Sequence, residues 1–174
     1  MIHRLLALWL LLLVPAWAGE TIVESEESVK SAFILNFIKY VEWPAASVPN
    51  GHFKVCVTGR DDKLSDTMNL IEGKVVQGRE LRVRHVQAHD DLSGCHVVVI
   101  ADHDLAWVTE TLNQVGRRPQ LTISDDEDFI SAGGIIGMTV IDRKMRFEIN
   151  LDAAQKAHLR LSAQLLKLAR RVIR

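Results

Sequence analysis

The run CHVVVIA, Cys95 to Ala101, decides how the rest of this chain reads. It is continuously apolar, rich in β-branched residues and of strand length, with no polar alternation to mark a wet face. A strand of that kind is buried on both sides and lies centrally in a parallel sheet covered by helices. Asp102 to Asp104 then start a helix that reaches about Gly116.

Upstream, FKVCVTG (Phe53 to Gly59) alternates as a strand should, and a short helix follows over Asp61 to Ile71. Lys74 to Gln77 and Glu80 to Val86 are strand material on either side of a bulge or bend at Gly78. Downstream, Pro119 introduces a strand over Gln120 to Ser124, and Asp125 to Ala132 forms an acidic turn or short helix. Gly133-Gly134 releases the chain into Ile135 to Ile141, Asp142-Arg143 turns it, and Lys144 to Asn150 returns with Met145, Phe147 and Ile149 on one side. Asn150 then caps a final helix in which Leu151, Ala154, His158, Leu161, Leu165, Leu168 and Val172 recur at helical spacing. Lys167, Arg170, Arg171 and Arg174 complement the negative end of that helix. The expected fold is α/β: a three-layer sandwich with a mostly parallel central sheet, a C-terminal antiparallel hairpin and flanking helices.

Nearer the start, VKSAFILNFIKYVEWP (Val29 to Pro44) is the apolar belt of a helix running from an N-cap at Ser25 to about Glu42. Val29, Phe33, Phe37 and Tyr40 make one face, and Ile34, Leu35, Ile38 and Val41 another. One face packs on the sheet, and the second meets either a partner surface or a second copy of the chain. Ile34, Phe37, Ile38, Val41 and the aromatic anchor Trp43 are the candidate contact residues. The alternative is burial of both faces between the sheet and another helix.

The first residues, MIHRLLALWLLLLVPAWA, combine His3 and Arg4, an apolar run and small residues at Ala16 and Ala18, the pattern of a cleaved secretory signal peptide over residues 1–18. Gly19 to Arg174 suits one exported domain that is not membrane-embedded. Formal net charge is −1, with no basic stripe, which excludes a nucleic-acid groove. The chain's two cysteines, Cys56 and Cys95, are an even count in an oxidising compartment, which argues for pairing over two buried thiols. A closed loop of about 40 residues contributes at most roughly 4 kcal/mol.

Enzyme chemistry has little to stand on, because no Ser or Cys nucleophile sits in a recognisable elbow, and no catalytic residue or cofactor is assigned. His89-Asp90-Asp91 and Asp102-His103-Asp104 contain metal-ligating residue types, but adjacent loop residues seldom converge on one ion and neither cluster has the i, i+4 spacing of a helical pair. No metal is therefore assigned. Asp125-Asp126-Glu127-Asp128 lacks the spacing and central Gly of a calcium loop. Arg143, Arg146 and Glu148 project from the outer face of the hairpin, as a polar rim or a small-ligand contact.

The ordered set AFILNFIKYVEWP, FKVCVTG, GKVVQGRELRV, LSGCHVVVIA, LTISDDEDF, GGIIGMTVIDRKMRFEINLDAA and LRLSAQLLKLARRV resembles the YfiR family of exported bacterial proteins over nearly the whole mature chain. The opening aromatic motif and the Phe-Glu-Ile-Asn strand end carry most of the specificity. The resemblance implies a non-enzymatic periplasmic regulator that binds the periplasmic sensor domain of an inner-membrane diguanylate cyclase and holds it inactive, limiting cyclic di-GMP and biofilm. It also implies a bridge between Cys56 and Cys95, while the second, late pair of some members has no counterpart here. His158 stands where relatives often carry Gly. The rival reading is a small-ligand sensor of the cell envelope, with the hairpin face and the ends of the parallel strands as its pocket.

Overall fold

Alternation along the central strands gives the protein two covered faces. The computed structural model describes residues 25–48 and 51–174, so the expected leader lies outside the described residues. In chain order the elements are α1 (Glu26–Lys39), β1 (Val41–Glu42), β2 (His52–Thr58), α2 (Asp62–Thr67) with a 3-10 turn (Met68–Ile71), β3 (Val75–Val76), β4 (Arg79–His85), β5 (Val97–Ile100), α3 (Leu105–Val115), β6 (Leu121–Ser124), β7 (Ile136–Ile141), β8 (Lys144–Asn150), α4 (Leu151–Lys156), β9 (Arg160–Leu161), α5 (Ala163–Leu168) and β10 (Arg171–Ile173). Among the described residues, one sheet of eight strands runs β10-β8-β7-β6-β5-β2-β4-β3. Only the β7–β8 and β3–β4 pairs in it are antiparallel. A second, two-stranded sheet pairs β1 with β9.

Every residue of β5 is buried, as a central strand demands. Val97 and Val99 join the larger core with residues of α1, α2 and α4, while Val98 and Ile100 pack with Val108 and Val115 of α3 and with Phe129 and Ile130. These are the three layers expected, with the mostly parallel sheet in the middle. The bend at Gly78 is a tight hairpin turn, with Gln77 at φ 52° and Gly78 at φ 73°. Asp142 and Arg143 turn the second hairpin in the same left-handed region, at φ 50° and 59°.

Two expectations fail, for connected reasons. The C-terminal segment is not one helix. His158 takes φ 57°, and the chain closes a Schellman motif in which the Leu159 N–H donates to the Ala154 oxygen and the His158 N–H to the Gln155 oxygen, both at 2.9 Å. Leu159 and Ala154 are buried against the core at that stop, and Ser162 starts the next short helix by accepting from the Leu165 N–H at 3.2 Å. The apolar residues recur at helical spacing because α4 and α5 bury the same core, although a strand separates them. Arg171–Ile173 then adds to the sheet parallel to β8.

The opening helix also stops early, at Lys39 rather than about Glu42. Val41–Glu42 leaves it to pair antiparallel with Arg160–Leu161, and Tyr40 accepts the Ser162 N–H at 2.9 Å. Gln77 substitutes for the missing helical turn: its Nε2 donates to the main-chain oxygens of Ile38, Lys39 and Val41 at 3.1, 3.3 and 2.8 Å.

Candidate functional site

The expected contact face of α1 is not a surface. Ile34, Ile38 and Val41 are fully enclosed and Phe37 is 1% exposed, all within one chain. Phe37 packs against Phe147 of β8, Phe33 leans on both rings, and α2 with its 3-10 turn covers the other flank. Both apolar faces therefore belong to the core, which is the alternative left open by the sequence. Trp43 is half-buried, its ring 5.0 Å from Phe53 and its Nε1 donating to the His96 oxygen at 3.3 Å.

Cys56 in β2 and Cys95 just before β5 are joined in a disulfide, with Cα atoms 5.9 Å apart. The bridge clips two neighbouring parallel strands on the face that α3 covers. His96 follows it immediately. Its Nδ1 accepts from the Lys54 N–H at 2.9 Å, and burial holds this imidazole below its ordinary pKa, so it is a neutral acceptor built into the strand start.

On the hairpin, Met145, Phe147 and Ile149 face the larger core as expected, and Arg143 and Arg146 are exposed. Glu148 is no open rim residue. It is 6% exposed and takes both Arg170 and Arg171, with Arg171 Nε at 2.8 Å. Burial pushes its pKa up, but the hydrogen bonds from Arg171 and Arg170 outweigh that and hold the carboxyl below the ordinary range. The expected trio thus separates: Glu148 serves to dock β10, and a cavity of about 230 Å³ beside it is lined by Asp126, Thr139 and the two arginines.

A group of charged side chains lies elsewhere, outside the carboxyl ends of β2, β5 and β6. The chain crosses from β2 outward to β4 and then from β4 back to β5 on the other side of β2, after which the strands proceed in the opposite direction; this is the topological switch point of the sheet. Gly59 lets the two strand ends meet. A Cβ there would lie 2.1 Å from the Ala101 oxygen, and its φ is 121°. Next to it, Arg60 grips Asp102 through Nε and Nη2 at 2.9 and 3.0 Å and reaches Asp104 at 3.1 Å. The fork lowers the pKa of Asp102, which is 4% exposed, and raises that of Arg60. Asp104 Oδ1 meanwhile caps α3 by accepting from Ala106 and Trp107.

From the end of β6, Asp125 points back beneath α1, where Lys30 Nζ reaches its Oδ2 at 2.6 Å and Glu26 at 2.9 Å. Burial works against the Lys30 charge, yet the hydrogen bonds to Asp125 and Glu26 raise its pKa overall. Asp61, the cap of α2, and His103 complete the group: one ligand atom from each of Asp61, His103 and Asp125 lies within 4.8 Å of the other two. Reading neighbours along the chain missed this gathering, because its members come from three separate strand ends. The signal available was a carboxylate or imidazole shortly after the end of each of these strands.

A mostly parallel α/β sandwich, clipped by a disulfide across its central strands and carrying an ionic crevice at its switch point, defines the class. The chain belongs to the YfiR/HmsC-like family, whose family model matches residues 27–170.

Proposed function

We propose that this protein is a periplasmic inhibitory subunit that binds the periplasmic sensor domain of an inner-membrane diguanylate cyclase, and so limits cyclic di-GMP and biofilm. The family match over residues 27–170 carries the reading. The bridged cysteines suit an oxidising compartment, and the leader pattern over residues 1–18 supplies the route there. No helix among the described residues is long and apolar enough to cross a membrane. The protein acts by stoichiometric binding, not by catalysis, and holds the cyclase inactive by preferring its inactive arrangement. The contact surface is drawn from outside the core face of α1. Calorimetric titration of the oxidised protein with the purified sensor domain tests the reading; saturable binding supports it, and absence of binding at micromolar concentrations removes it.

A small-ligand sensor is the second reading, favoured by a cavity of about 530 Å³ at the amino ends of β2 and β5. Lys54, His52, Arg118 and Gln120 line it, and the buried Gln120 Oε1 has no hydrogen-bond partner among the described residues. Thermal-shift screening against small anionic metabolites tests this, and a flat response across the screen argues against it.

A further inference from the structure

We infer that Asp61, His103 and Asp125 form a binding site for a divalent transition-metal ion, of which Zn²⁺ is the natural probe. Three observations converge. The first is geometric: the three ligand atoms lie within 4.8 Å of one another, and bonds of about 2.0–2.2 Å to one ion would draw them closer together. His103 is 60% exposed on its side chain and free to rotate.

The second is an unsatisfied oxygen. The Asp125 side chain is only 7% exposed; Lys30 occupies its Oδ2, while its buried Oδ1 has no hydrogen-bond partner among the described residues. Buried carboxylate oxygens are rarely left so. An ion bound through Oδ1 would give that oxygen a partner while Lys30 keeps Oδ2, and the lysine's charge would keep the affinity moderate.

The third is charge. Arg60 is committed to Asp102 and Asp104, and among the described residues neither Asp61 nor Asp126 is paired with a Lys or Arg. Asp61 uses one oxygen, Oδ1, to cap α2, which leaves Oδ2 for coordination. Asp126 Oδ2 stands 3.7 Å from His103 Nδ1, a carboxylate of the kind that orients a metal-binding imidazole. One imidazole nitrogen with two carboxylates, leaving positions open for water, matches a borderline ion better than calcium, which takes six to eight oxygens.

The site is independent of the partner reading, because its test uses the isolated chain. Chelator-stripped protein is titrated with Zn²⁺ by calorimetry, and with Co²⁺ by visible absorption. The expected result is one equivalent bound, with affinity lowered at least tenfold in His103→Ala, whose exposed side chain can be removed without disturbing the core. Asp125→Asn should lower it similarly, and circular dichroism establishes that each variant is folded. His89→Ala, a histidine outside the group, should leave binding unchanged. Unaltered affinity in His103→Ala, equal losses in His89→Ala, or no binding by the parent chain at millimolar Zn²⁺ would each overturn the assignment.

Discussion

The rings of Phe37 and Phe147 lie 4.9 Å apart, which ties the first helix of the chain to the last long strand of its sheet. Both are buried, so this contact is core packing and not a docking surface. Phe37→Ala should cost about 3–5 kcal/mol, measured by urea denaturation. Ile38→Asp places a charge at a fully enclosed position and should unfold the protein; a folded Ile38→Asp that binds no cyclase would instead restore the helix as an interface.

The bridge between Cys56 and Cys95 spans 39 residues of sequence. Replacing both with Ser should lower stability by up to roughly 4 kcal/mol. Denaturation with and without reductant checks it: the parent should shift and the double variant should not.

Glu148 anchors β10 through Arg170 and Arg171. Its folded pKa is depressed, so its contribution is fully present above the unfolded value and disappears as pH falls through the folded one. Glu148→Gln should remove that acid sensitivity and speed amide exchange at Arg171–Ile173. Unchanged exchange there would show that the two arginines do not hold the strand.

Burial depresses the pKa of His96 from its ordinary 6.5. The unfolded chain therefore takes up the proton first, and stability declines as pH falls from that value through the folded pKa. Unfolding midpoints at about pH 7.5 and about pH 5.5 should differ more for the parent than for His96→Asn, whose side-chain oxygen can still accept from Lys54.

His158 holds φ 57°, a conformation costly for any residue with a Cβ. His158→Gly should stabilise the protein by about 0.5–1 kcal/mol, and His158→Val should destabilise it by at least about 1 kcal/mol. Thermal midpoints of the pair decide this.

By itself the sequence determined the covered central strand, the order of strands and helices from Phe53 to Asn150, the hairpin turned by Asp142-Arg143 and the caps at Ser25 and Asn150, because each rests on a local pattern. Tertiary structure alone decided the rest. Helical spacing from Leu151 to Val172 reports which residues meet the core, not whether the backbone between them stays helical, and a left-handed His158 broke it. An apolar face on α1 says that something covers it; only packing showed that Phe147, α2 and the 3-10 turn do. The grouping of Asp61, His103 and Asp125 was likewise invisible, since parallel strands with long crossovers bring together residues far apart in the chain.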